Sequence, residues 1–218
     1  MPSSPVLVYI LNNYNLLDLL LCYSYKLNLE KLINHTNNKK LILILDFLNI
    51  AANLKTIPRQ GWIDKLAIKN PESVADHTYS MAIIGMILSD SQKYNTQKIL
   101  KMILLHDLAE SITGDFTPKQ KSKDEKIILE NKTMENIMSH LPENLQKQYL
   151  VIWDEYQKNN SKEANFVHQI DKLEMALQAK IYSEEKNSVQ ELSSFFNSAK
   201  KGITDSNILK LFNQLMEK

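Results

Sequence analysis

Only four glycines, Gly61, Gly85, Gly114 and Gly202, interrupt the 218 residues of this chain. Sandwiches and barrels punctuate their strands with glycine because tight turns need its positive φ. A chain that is poor in glycine and rich in Leu, Ile, Lys, Asn and Glu favours helices instead. An all-α protein is expected, long enough to bury a core without a disulfide or a structural metal.

Apolar periodicity agrees from Leu41 onward. Leu41 to Lys55 reads as a helix that must stop before Pro58, since the residue preceding proline is pushed out of the α region. An irregular segment, Thr56 to Glu72, follows. Ser73 and Asp76 form an Asp variant of the capping box, opening a helix whose apolar stripe, Val74, Met81, Ile84 and Leu88, also carries His77. His77 is therefore expected to point inward.

A continuous helix from Thr96 to Thr113 would place Ile99, Ile103, His106, Asp107 and Glu110 on one side, with Gly114 as its C′ residue and Asp115 to Pro118 as a turn. Further helices are expected over Ser122–Leu141, Glu143–Lys158, Ser161–Glu185, Val189–Lys200 and Asp205–Lys218. Three regions result: an extension over 1–40, a helical domain over 41–185, and a tail over 186–218 that packs on it.

Charge narrows the function. With 26 basic and 25 acidic side chains interspersed, the chain has no basic face for a phosphate backbone, so nucleic acid is not an expected partner. Val6 to Tyr25 is leucine-rich, but Asn12, Asn13, Asn15 and Asp18 break it well short of the ~20 apolar residues of a membrane span. No basic residue precedes it as a secretory signal would require, and Cys22, lacking an internal partner, fits a reducing compartment. The expectation is a cytoplasmic protein without a membrane segment.

The adjacent pair His106-Asp107 is the chemical signal. Consecutive helical residues diverge by about 100°, so a metal taking both would sit at the helix surface between them and need ligands from other helices. His77 and Asp171 are of the available types. Two imidazoles and two carboxylates suit Mn, Co, Fe or Mg with open positions better than a closed structural zinc. Glu110, one turn beyond His106, would stand beside metal-bound water as a general base or acid. His168, three residues before Asp171, could support the site from behind, and Lys119, Lys121, Lys123 and Lys126 could raise the local potential for an anionic substrate, but they read more simply as helix surface and solvated loop.

The ordered blocks Arg59-Gln60-Gly61-Trp62, Glu72 to His77, His106 to Glu110, Gly114 to Pro118 and Ile170 to Met175 resemble the HD-domain 5′-deoxynucleotidase family across Leu41 to Tyr182. The resemblance implies an HD-domain helical bundle with a divalent metal between helices, hydrolysing deoxyribonucleoside 5′-monophosphates to deoxynucleoside and phosphate. It implies His77, His106, Asp107 and Asp171 as metal ligands, Glu110 as the catalytic carboxylate, and Arg59 and Trp62 as phosphate-orienting residues. Asp115, Phe116, Thr117 and Pro118 would contact substrate, and Glu110 with Asp115 would offer a second hard-cation position.

The metal would be Mn, Co or Mg, with Fe or Zn as alternatives, and the assembly a homodimer. Arg59 is the chain's one arginine among 25 lysines. It offers a planar fork for phosphate oxygens that lysine cannot reproduce. The competing readings are another HD hydrolase, acting on deoxynucleoside triphosphates, signalling nucleotides or cyclic phosphodiesters, and a non-catalytic nucleotide-binding module.

Overall fold

The computed structural model describes Ser24 and residues 38–117, 119–186 and 189–217, side chains at 185, 186 and 189–191 excepted. The stretch Val6 to Tyr25 apart from Ser24, Cys22 within it, and Pro118 lie outside the described residues. A small unit spans Met1–Leu45, and a larger one Asp46–Lys218. In the small unit residues 38–45 are helical.

The larger unit begins with helical residues 46–52, here α1, and a 3₁₀ turn over Asn53–Thr56. Then come α2 (Gln60–Leu66), α3 (Val74–Ser91), α4 (Thr96–Leu105), α5 (Glu110–Thr113) and α6 (Lys123–Met138). It is completed by α7 (Glu143–Lys158), α8 (Lys162–Lys186), α9 (Val189–Gly202) and α10 (Ser206–Glu217). Among the described residues the only extended pairing is an isolated antiparallel bridge, Pro58 with Ser73. The all-α expectation holds, and no described helix is long and apolar enough to cross a membrane.

Helix α8 is the axis of the unit, packing against α3, α4, α7, α9 and α10. Phe166 and Ile170 on it are fully buried with Met81 of α3, Ile99, Met102 and Ile103 of α4, and Met134 and Ile137 of α6. Burying each such side chain contributes about 1.5–3 kcal/mol, enough together to offset placing ionisable groups among them. Gly85 of α3 allows the close approach of these helices. A methyl there would run into Ile103 Cδ1, with Ile99 Cγ2 and Ile170 Cδ1 at 3.4 and 3.5 Å.

Helix ends follow the local chemistry. The Ser73–Asp76 capping box forms: Ser73 Oγ accepts from the Asp76 N–H at 3.1 Å, and Asp76 Oδ2 accepts from the Ser73 N–H at 2.9 Å. A second box, Ser122 with Glu125, opens α6. Gly114 ends α5 with φ of 77°, the left-handed side of φ that glycine adopts freely.

Two expectations are corrected. The Thr56–Glu72 segment contains a helix, α2, whose N-cap is Arg59. The helix from Thr96 to Thr113 is broken: α4 ends at Leu105, and residues 106–109 form a turn before α5. Bonds of i to i+3 type tighten this turn, Leu108 N–H to Leu105 O at 3.1 Å and Glu110 N–H to Asp107 O at 3.0 Å.

Candidate active site

At the break after Leu105 His106 keeps a right-handed helical backbone, and the ends of the two side chains meet: His106 Nε2 and Asp107 Oδ2 lie 3.0 Å apart. His77, one turn into α3, brings Nε2 to 3.9 Å from Asp107 Oδ2 and 3.4 Å from Asp171 Oδ1 on α8. Ligand atoms of His77, His106 and Asp107 all fall within 4.8 Å of one another. Two ligands bonded at ~2.1 Å to one cation are themselves about 3–3.5 Å apart, so this spacing is that of a ligand set.

The opposite ring nitrogens are committed. His77 Nδ1 meets Glu174 Oε2 at 2.5 Å, and His106 Nδ1 meets the Ile103 carbonyl at 2.6 Å. Each ring thus donates from Nδ1 and turns its Nε2 lone pair inward, the orientation that metal-binding imidazoles receive from such partners. Both Nε2 atoms are buried without a well-aligned hydrogen bond and face carboxylate oxygens of Asp107 and Asp171. Two buried nitrogens and two carboxylates aimed at one spot mark a site shaped for an electrophile. His77, His106, Asp107 and Asp171 fit a divalent cation.

Electrostatics reinforce the cluster. Burial, then Arg59, oppose a charge on His77, but Asp171 and Glu174 outweigh them and lift its pKa to about 9. A bound cation would displace that proton, as metal binding to imidazole generally does. Burial pushes Asp107 upward, yet His106, Arg59 and His77 hold it below the usual carboxylate range. Glu110, by contrast, is lifted well above its ordinary value by burial and by Asp107 and Asp115, against the pull of Lys126 and Arg59.

Arg59 stands beside the cluster, its Nη1 3.3 Å from Asp107 Oδ2 and 3.9 Å from Asp115 Oδ2. Burial disfavours its charge, but Asp107, Asp115, Glu110 and Asp171 overcome that and raise its pKa. Its position follows from the Pro58–Ser73 bridge, in which the Arg59 N–H donates to Glu72 O at 3.0 Å and the Val74 N–H to Ile57 O at 2.9 Å. Asp115 Oδ2 accepts from the Gln60 N–H at 2.9 Å, satisfying a free donor at the start of α2. Thr117 Oγ1 donates to Asp64 Oδ2 at 2.9 Å, tying the turn to α2.

A cavity of about 530 Å³ opens over these groups, with Arg59, Asp107, Glu110, Asp115, Phe116 and Thr117 among its lining residues. The structure thus brings together the residues singled out from sequence within the described range. Trp62 is a wall of the cavity: its indole N–H donates to Glu72 Oε1 at 2.9 Å, and its ring stacks on Phe195 at 4.3 Å.

Several participants escaped the sequence reading. Lys126 is no solvated lysine; its Nζ lies 2.9 Å from Glu110 Oε1. Lys172 pairs with Asp171 at 2.8 Å, and Phe195 comes from α9 in the tail. Glu174, which holds His77, follows Asp171 by three residues and so shares its helix face, a signal legible from spacing. His168 is corrected from a surface residue: it is partly buried, stacks on Tyr156 at 4.2 Å and takes part in a 3.0 Å contact with the Tyr156 carbonyl. Tyr156 in turn meets the His106 ring edge-on at 5.8 Å.

A helical bundle with an adjacent His-Asp pair completed by a histidine and an aspartate from other helices defines the HD-domain class, and the HD domain family model matches residues 51–211. The chain belongs to the HD-domain 5′-deoxynucleotidase family. It is 37% identical over 173 residues to the mouse 5′-deoxynucleotidase HDDC2, covering 79% of this chain and 86% of that one. It is 41% identical over 164 residues to the 5′-deoxynucleotidase hdd1 of Schizosaccharomyces pombe, covering 73% and 82%. Among solved structures, a conserved hypothetical protein from Pyrococcus furiosus superposes with a TM-score of 0.65 at 30% identity, covering 80% of this chain and 99% of that one.

Proposed function

We propose that this protein is a metal-dependent 5′-deoxynucleotidase, removing the phosphate from deoxyribonucleoside 5′-monophosphates. The observation that carries the reading is the convergence of the buried Nε2 atoms of His77 and His106 with the carboxylates of Asp107 and Asp171 beside Arg59. Relatives that bear the name 5′-deoxynucleotidase, from mouse to fission yeast, support it.

A divalent cation held by His77, His106, Asp107 and Asp171 would supply Lewis acidity and lower the pKa of water. The chain's own residues do the rest. Arg59 grips the dianionic phosphate with two parallel donors and neutralises charge as it builds on the equatorial oxygens. In hydrolysis an oxygen of water bonds to phosphorus as the bond to O5′ breaks, and one proton passes from water to the departing oxygen. Glu110 is placed to move that proton: it lines the cavity beside Asp107 and Arg59, and burial with Asp107 and Asp115 lifts its pKa above the ordinary carboxylate value, which favours a carboxyl that holds a proton.

Trp62 and Phe195 wall the cavity, while Asp115, Phe116 and Thr117 line it where the nucleoside would lie. The catalytic domain proposed at 41–185 thus takes one wall, Phe195, from the 186–218 tail. The mixed nitrogen and oxygen donor set favours Mn, Co or Mg. Glu110 and Asp115 are proposed to hold a second cation, and the protein to be a homodimer, which sedimentation tests.

Phosphate release by chelator-stripped protein, resupplied with Mn, Co, Mg, Fe or Zn, tests the reading. Release from deoxynucleoside monophosphates that depends on added metal is expected. Equal rates on ribose and deoxyribose substrates would sink the deoxy preference, and release of intact triphosphate would point to another HD hydrolase. Tight nucleotide binding without any release would make the protein a non-catalytic module.

A further inference from the structure

We infer that Lys126 is a positioning residue of this site, fixing the Glu110 carboxylate with one oxygen bound and the other buried and free of hydrogen bonds beside the cavity. The inference rests on the proposed function only in giving Glu110 a chemical task. Its geometry is independent of that task.

Glu110 opens the short helix α5, and its side chain is 1% exposed. Oε1 receives the Lys126 ammonium at 2.9 Å, whereas Oε2 is buried without a hydrogen-bond partner. The last torsion of a glutamate is broad and roughly two-fold, so packing alone sets the plane of its carboxylate poorly. A donor on one oxygen supplies what packing lacks.

Lys126 is itself held in place. Glu130, one turn further along α6, receives its Nζ at 3.4 Å from a side chain only 10% exposed. The Ser122–Glu125 capping box fixes where α6 starts, and the Lys126 N–H donates to Ser122 O at 3.0 Å. The ammonium therefore arrives from a firm helix end, is backed by Glu130, and lines the same cavity as Glu110 and Arg59. Lys121, another lysine of that wall, places its Nζ over the Phe116 ring at 4.8 Å.

Three roles for Lys126 predict different outcomes. A positioning role lowers kcat, direct contact with phosphate raises KM, and a purely structural role lowers thermal stability while leaving the kinetics of folded protein intact. Lys126→Met keeps the length and loses the donor; Lys126→Arg keeps a charge and a donor. In the metal-loaded full chain, with a deoxynucleoside 5′-monophosphate as substrate, Lys126→Met is expected to lose about 100-fold in kcat, the scale of a misplaced catalytic group. KM should stay within about 3-fold and bound metal should be unchanged, while Lys126→Arg recovers about 10-fold of the loss.

Unchanged kcat in Lys126→Met, a rise confined to KM, or an arginine variant no better than methionine would overturn the inference. A crystal structure of Lys126→Met gives a readout apart from activity. The Glu110 carboxylate should turn away from the cavity, and one that keeps its place overturns the inference. Failure of the wild-type chain to release phosphate would instead count against the proposed function, with the crystal structure still deciding the role of Lys126.

Discussion

His77 and His106 are each anchored at Nδ1 by an acceptor from the packed helices, Glu174 on α8 and the Ile103 carbonyl on α4. Arg59, Asp115 and Thr117 stand instead on short segments that brace one another, through Gln60 N–H to Asp115 and Thr117 to Asp64. The first arrangement is a rigid socket whose geometry is inherited from the core. The second is a set of short segments joined by the Pro58–Ser73 bridge and by side-chain hydrogen bonds to one another rather than by burial in the core. In the proposed function a cation would be held by residues anchored in the packed helices, and the nucleotide would meet the short segments around Arg59 and Asp115.

The strongest way to break this contrast is to remove a shared member. Asp107→Ala takes a ligand from the socket and a partner from Arg59, so metal-dependent turnover should fall by at least about 10³-fold, with metal lost from the protein on dialysis. Survival of activity with bound metal unchanged would refute the ligand assignment. Arg59→Lys leaves every socket ligand in place: it keeps the charge and loses the fork, for a cost of about 1–3 kcal/mol in kcat/KM with metal content intact.

Glu174→Gln probes the socket without touching a ligand. Releasing the His77 ring should weaken metal affinity about 10–100-fold, measurable by competition with a chelator, while KM at saturating metal stays near wild type. Thr117→Val should have the smallest effect, about 1 kcal/mol and confined to KM, because it removes one partly exposed hydrogen bond between the turn and α2. If Thr117→Val lowered metal affinity as much as Glu174→Gln, the two halves would not be separable.

What the sequence displays is uneven in the same way. The inward placing of His77 was legible because helical spacing put it on a buried stripe, while the set His77, His106, Asp107 and Asp171 came from the resemblance of the ordered blocks. The break at residues 106–109 was not legible. His106-Asp107-Leu108-Ala109 contains no glycine or proline to announce it, and the local bond that accompanies it, from the His106 ring to the Ile103 carbonyl, leaves no periodic signal. Lys126 and Phe195 were hidden for another reason: 16 and 85 residues separate them from Glu110, and no periodicity links elements that meet only in the folded chain. The indole of Trp62 illustrates a third limit, since composition cannot say that Glu72 already takes its N–H.

Gly85 touches no ligand, yet the space it leaves is occupied by Ile103, the residue whose carbonyl holds the His106 ring. Positions 85 and 103 therefore share one volume, and a methyl added to the first has to be taken from the second. Gly85→Ala alone should disturb His106, whereas Gly85→Ala combined with Ile103→Val should restore part of the lost metal affinity, a non-additive pair that a double-mutant cycle would expose. Through that exchange, sequence drift in the core of α3 is tied to the chemistry of a centre two helical turns from it.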